Sequence, residues 1–253
     1  MIIQIDVSVL VGFFYALIRT GAWITISPPF SSNAITPRVK IAISVGLSLL
    51  LANTFADTDV SLEAGPFILG ALYQAFVGAA MGFVVLLLFQ AVQVAGQLVD
   101  MSSAFSSATL YDPFSNASST PIGRLFEMMA ITILFMIDGH LMLVRGLITS
   151  FTMAPVSGFS LEAMPGILIG NFGVLFVASL QIAFPLLAAL FLAEVTLGLM
   201  TRAAPQLNIL IIGFNVKILM LLSLLVVALP IIPRAVERLV EQILSAQSGF
   251  FGG

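Results

Sequence analysis

Two opposite charges, Glu194 and Lys217, stand inside long apolar runs on either side of the polar stretch Thr201-Arg202-Ala203-Ala204-Pro205-Gln206-Leu207-Asn208. If the chain reverses at Pro205 and Gln206, Glu194 lies eleven residues before the turn and Lys217 twelve after it, so an antiparallel helical hairpin sets them level. A lone charge at bilayer depth costs about 2.5 to 3.5 kcal/mol on insertion scales, and two opposite charges at matched depth therefore predict an ion pair. A second set is Asp138-Gly139-His140 with Arg145 beyond it, in the middle of another apolar run. Its chemistry would be a proton relay; the plainer account is that these groups satisfy one another or mark a helix break. A third set, Gln90, Gln93 and Gln97, repeats at i, i+3 and i+7 and so makes a polar stripe on one helical face. Such glutamines either bond to neighbouring helices or line a wet cavity. With no cysteine, no H-E-x-x-H, no nucleophile elbow and no Walker loop, the chain offers no expected catalytic residue, cofactor or metal site.

The elements that must position these residues are apolar helices. The chain has 253 residues, 60% hydrophobic and only 8% charged, with a mean hydropathy of +1.15. That composition predicts an integral membrane protein without room for a soluble catalytic domain. Six apolar segments run from about Val9 to Pro28, Ile41 to Ala56, Phe67 to Val99, Leu125 to Phe151, Ile167 to Met200 and Ile209 to Ile232. They lack the alternation of barrel strands, so about six long helices in hairpins are expected. The third and fifth, at roughly 33 residues or about 50 Å, exceed the roughly 30 Å of a hydrocarbon core, which demands tilt, a break or projection into other protein. Gln181 and Pro185 are candidate kink points in the fifth. In the third, Gly78 and Gly82, with Ala71, Ala75 and Ala79, have the spacing that lets another backbone approach closely.

One membrane domain, residues 1–253, is expected. It divides into a four-helix part over 1–155, a C-terminal hairpin over 156–232 and an amphipathic tail helix over 233–247. In the tail, Arg234, Glu237, Arg238 and Glu241 oppose Val236, Leu239, Val240, Ile243 and Leu244. The connection 100–124 is rich in Ser and Thr yet carries Phe105, Leu110, Tyr111 and Phe114, apolar material that a plain linker lacks; it is either a surface linker or a loop folded back into a cavity. The N-terminal Met1 to Asp6 has no Lys or Arg, so no cleavable signal peptide is expected. If six spans alternate, loops after the first, third and fifth hold Arg38 with Lys40, Arg124 and Arg202, against Arg234 and Arg238 opposite, which puts the odd-numbered turns in the cytoplasm. A net charge of −3 supplies no basic patch for nucleic acid.

Taken together, Glu194-Val195-Thr196-Leu197-Gly198-Leu199-Met200-Thr201-Arg202-Ala203-Ala204-Pro205-Gln206-Leu207-Asn208 with Gly213 and Lys217 resembles the family of the flagellar biosynthetic protein FliR and its counterparts in type III secretion injectisomes. Supporting matches are Pro28 with Phe30 and Ser31, Pro37-Arg38-Val39-Lys40, Asp112-Pro113 and Asp138-Gly139-His140, and the similarity covers essentially the whole chain. After Asp112-Pro113 the chain departs from the family's more glycine-rich loop with Phe114-Ser115-Asn116-Ala117-Ser118-Ser119.

The resemblance implies a non-enzymatic export-gate subunit of the bacterial inner membrane, multi-pass, at the flagellar basal body. One copy would join several copies of two smaller membrane subunits and a switch subunit in a helical gate around the channel taken by unfolded export substrates. It implies a four-plus-two arrangement, the first four segments matching one partner subunit and the last two the other. Phe105, Leu110, Tyr111 and Phe114 would then belong to a plug loop, while Glu194, Arg202, Pro205, Gln206, Asn208 and Lys217 would set helix register and line the cytoplasmic entrance. Energy would come from a separate ATPase and the proton motive force. From a different class, a proton-coupled secondary transporter using Asp138, His140 and Glu194 is the alternative, although no internal repeat supports it; a purely structural scaffold is a third reading.

Overall fold

The computed structural model describes residues 7–32, 34–55, 63–103, 120–154, 160, 162–203 and 209–251. Among the described residues the chain is an all-α membrane protein of eight α-helices and one short 3-10 helix: α1 (Val7–Ile26), α2 (Pro37–Leu51), the 3-10 turn Ala52–Phe55, α3 (Ala64–Ser103), α4 (Pro121–Met136), α5 (Gly139–Met153), α6 (Met164–Ala203), α7 (Ile209–Ala228) and α8 (Ile231–Gly249). Prolines open two of them in the same way. Thr36 (φ −63°, ψ 148°) and Thr120 (φ −73°, ψ 158°) are extended, and Pro37 and Pro121 then take the first helical position, where a missing N–H costs nothing.

The six apolar segments thus become seven helices, α8 covering the stretch expected as the amphipathic tail, and the extra break has a local cause. Segment four divides at Ile137 and Asp138, where Asp138 adopts the left-handed conformation at φ 55°. Aspartate tolerates that region better than most side chains, and Gly139 follows it, so α4 stops and α5 restarts there. Helix α2, at 15 residues or about 22 Å, is too short to cross a core of roughly 30 Å. Residues Ser8–Ile26, Ala64–Ser103 and Met164–Ala203 are long and apolar enough to cross; the described chain has up to five spans if each of two bent helix pairs counts as one. Six alternating spans, the premise of the charge-based orientation, are therefore not what these lengths provide. Helices α3 and α6 each run 40 residues, about 60 Å, longer still than their apolar cores predict, and α6 stays helical through Pro185.

Two compact units are formed, Met1–Leu88 with Asp138–Phe172 and Val240–Gly253, and Phe89–Ile137 with Gly173–Leu239. In the first, α1 packs on α2 and on α3. The Gly78 and Gly82 spacing has its expected use here. A Cβ at Gly78 would collide with the Arg19 carbonyl oxygen, and one at Gly82 would sit 3.1 Å from that of Trp23. Tyr15, Trp23, Phe151 and Phe250 are buried in this unit. Lys40 donates to the Ser31 carbonyl at 2.8 Å, tying the start of α2 to the turn after α1. In the second unit, α3 and α4 meet at Gly96 and Gly123 above Val92, Val99, Phe126 and Leu134, all buried.

Candidate functional site

The hairpin of α6 and α7 brings the two predicted charges together. Lys217 Nζ lies 3.2 Å from Glu194 Oε1. The register recurs one turn along, where a Cβ on Gly213 would lie 3.3 Å from Leu197 Cδ1, so glycine at 213 lets α7 close on α6. The pair differs from an interior one in a single respect: Lys217 is 15% exposed but Glu194 is 65% exposed, so the contact runs along the flank of the hairpin. Phe191, Leu192, Leu199 and Leu219 around it are exposed as well. Arg202 is exposed in the last turn of α6, where a cation complements the negative end of the helix dipole. Pro205, Gln206 and Asn208 lie outside the described residues.

A second group stands at the ends of α3 and α4. Pro121 carries no N–H, and the Thr120 side chain makes no capping bond, so the first turn of α4 needs an acceptor from elsewhere. Asp100 supplies it. Fully buried near the end of α3, its Oδ2 accepts from the N–H of Ile122 at 2.8 Å and of Gly123 at 3.1 Å. A carboxylate at a helix N-terminus also meets the positive end of the dipole. The two backbones are close because both contact residues are glycine: a Cβ on Gly96 would lie 2.6 Å from Gly123 Cα. The glutamine stripe runs down this side of α3. Gln90, Gln93 and Gln97 are half-buried, and Gln97 Cγ would lie 3.0 Å from a Cβ on Gly123. Phe105, Leu110, Tyr111 and Phe114 lie outside the described residues, between these two anchored helix ends.

Of the second set, Asp138 and Arg145 are exposed and His140 is half-buried. Asp138 is exposed and marks the helix break, its carbonyl oxygen accepting from Leu141 N at 3.0 Å. Arg145 is exposed one helical stretch further on.

The buried cation of the molecule is one that sequence reasoning missed. Arg19, fully buried in α1, donates from Nε to Gln74 Oε1 at 2.7 Å, from Nη1 to Ser150 O at 2.8 Å and Ser150 Oγ at 3.2 Å, and from Nη2 to Ala154 O at 2.6 Å. Its guanidinium carbon also sits 4.4 Å from the centre of the Phe151 ring. Ser150 lies in the last turn of α5 and Ala154 caps it; the Ser150 carbonyl also accepts from Ala154 N at 3.0 Å, and carbonyls at a helix end need donors from outside the helix ladder. One guanidinium thereby caps α5 and joins it to α1 and α3. The only available signal was an arginine in the middle of an apolar run, which demands a partner without indicating where it is.

A sequence model of the family described as bacterial export proteins, family 1, matches residues 10–243. The chain is 29% identical over 232 residues to the flagellar biosynthetic protein FliR of Escherichia coli (strain K12), covering 91% of this chain and 89% of the relative. It is 30% identical over 234 residues to FliR of Pectobacterium carotovorum subsp. carotovorum, with 91% and 89% covered. A more distant counterpart is the Yop proteins translocation protein T of Yersinia pestis, 32% identical over 143 residues, 55% of each chain. Since the match runs from α1 into α8 and takes in both the charged hairpin and the Asp100 anchor, the chain belongs to bacterial export protein family 1, the family of the FliR proteins.

Proposed function

We propose that this chain is a membrane subunit of a type III protein export apparatus, seated in the bacterial inner membrane at the flagellar basal body and required for flagellum assembly. It joins other export-gate membrane subunits, one copy with several copies of two smaller subunits and a switch subunit, around the entrance taken by unfolded export substrates. The observation that carries this reading is the similarity to FliR relatives over nearly the full length of both chains. The uncovered apolar surface of the second half is in keeping with it. Only 28% of the most apolar stretch of α6 is buried, against 67% for α3, so α6 needs lipid or protein against it.

The stretch between α3 and α4 is the plug of this gate, with Phe105, Leu110, Tyr111 and Phe114 filling the channel until an arriving chain displaces them. The Asp100 bonds to Ile122 and Gly123 support that reading, because a displaceable segment needs fixed ends to return to. Glu194, Arg202, Pro205, Gln206, Asn208 and Lys217 set the register of the hairpin and line the cytoplasmic mouth. No bond-making step is assigned to any of them; the work of transport comes from outside the chain.

Deleting residues 105–114 is expected to raise the permeability of cells to small solutes while the complex still assembles. Unchanged permeability in an assembled complex overturns the plug. Extraction in mild detergent is expected to yield a stable multi-subunit complex, and a functional monomer overturns the subunit reading.

A further inference from the structure

Helix α8 buries one stripe, Val236, Leu239, Val240, Ile243 and Ala246, continued by Phe250 just past its end, and Gln247 stands in that stripe at 2% exposure. Neither Nε2 nor Oε1 of Gln247 has a hydrogen-bond partner among the described residues. A buried amide in that state is costly, and native structures retain one where a ligand or water completes it. The facing position on α5 is Gly146, where any Cβ would collide with Gln247 Oε1, so the amide is accommodated at the expense of a side chain opposite. Beside it opens a cavity of about 280 Å³. A single buried water needs only about 10 to 15 Å³ of such volume, so this space is far larger than one structural water requires.

The lining of the cavity is divided in character. Arg145, exposed, places a cation beside Gln247; Thr149 and Ser248 add hydroxyls; Met142, Met153 and Phe251 make an apolar wall. Met142 and Met153 are themselves exposed, so the apolar wall continues outward from the cavity. Its two walls come from a helix of an apolar bent pair, α5, and from an amphipathic helix, α8. That is the setting of a membrane interface, where basic pockets between helices hold lipid headgroups.

The geometry points to a binding site for the headgroup of an anionic, glycerol-bearing phospholipid of the phosphatidylglycerol type. The phosphodiester accepts from the Arg145 guanidinium. A glycerol hydroxyl both donates and accepts, which matches the free acceptor and the free donor of Gln247. The acyl chains follow Met142 and Met153 out of the cavity. This assignment rests on the cavity alone and stands apart from the plug.

The test uses the full chain, extracted with whatever subunits accompany it and reconstituted in nanodiscs of phosphatidylethanolamine with phosphatidylglycerol as the minor component, with retained lipid read by native mass spectrometry. The wild-type chain is expected to hold phosphatidylglycerol above its share of the bilayer. Arg145→Gln and Gln247→Leu are each expected to lower that retention by about tenfold, the loss of one good polar contact, while Arg145→Lys keeps most of it. Because Arg145 is exposed, Arg145→Gln carries the test even if Gln247→Leu does not accumulate. Equal retention in all variants overturns the site, and so does protection of the α5 and α8 amides by free glycerol phosphate as strong as by the lipid. A photo-crosslinker at position 247 that captures a protein instead of lipid also overturns it.

Discussion

At the scale of single residues, two buried charges hold helix ends, and neither does so through an opposite charge across a hairpin. Arg19 satisfies the last carbonyls of α5, and Asp100 the first amides of α4. Arg19→Leu removes the charged donor to Gln74 Oε1, Ser150 Oγ and the Ala154 carbonyl, and one of the two donors to the Ser150 carbonyl, which keeps its bond from Ala154 N. Each buried group so abandoned costs about 1 to 3 kcal/mol, so a loss of several kcal/mol is expected, seen as a lower unfolding temperature of the detergent-extracted chain. Arg19→Lys is expected to fall between, because one ammonium cannot reach all three sites that the planar guanidinium spans. Asp100→Ala removes a helix cap, worth about 1 to 2 kcal/mol, and is expected to speed hydrogen exchange at the Ile122 and Gly123 amides while leaving α1 unaffected. Both roles were hard to see in the sequence for the same reason. Arg19 bonds to residues more than 130 positions away, and Asp100 to residues 22 and 23 positions away, so no local spacing exposes either. Glu194 and Lys217 were visible because a hairpin with a clear turn converts separation in sequence into level on adjacent helices.

At the scale of elements, glycine separates helix pairs that touch from helix surfaces left open. Gly78 faces the backbone of α1, whereas a Cβ added at Gly170 on α6 would meet nothing within 4 Å. The same substitution is therefore expected to act with opposite signs. Gly78→Ala pushes two backbones apart and lowers thermal stability, whereas Gly170→Ala removes glycine's excess flexibility and raises helix stability by roughly 0.5 to 1 kcal/mol. Paired melting curves of the two variants check this. The Gly78 and Gly82 spacing makes close packing legible in the sequence, since small residues four apart have one main use in an apolar helix. The division of segment four was less legible. Apolar residues stand on both sides, at Phe135 to Ile137 and Leu141 to Val144, and within the interruption only the dipeptide Asp138-Gly139 signals the left-handed residue that ends one helix and starts the next. The length of α2 was obscured likewise, because an apolar run does not show where a helix passes into a 3-10 turn.

At the scale of the whole molecule, burial is uneven along the chain: α3 is largely enclosed and α6 is not. The Glu194 to Lys217 contact belongs to the open part, and its worth depends on what surrounds it. Between exposed groups in water such a pair contributes about 0 to 1 kcal/mol; enclosed by protein, removal of one partner costs roughly 3 to 5 kcal/mol. Glu194→Lys and Lys217→Glu are therefore each expected to change the melting of the isolated chain little and to reduce recovery of the assembled complex strongly. Combining the two reversals is expected to restore recovery, and a double variant as poor as the singles shows that the pair plays no part in assembly. The open face of α6 has a further consequence for the cell. A face that partner subunits cover gains stability that depends on their concentration. In the proposed assembly, a copy made in excess is expected to keep this flank without protein cover and to turn over faster than an assembled one, which pulse-chase of the chain with and without its partners checks.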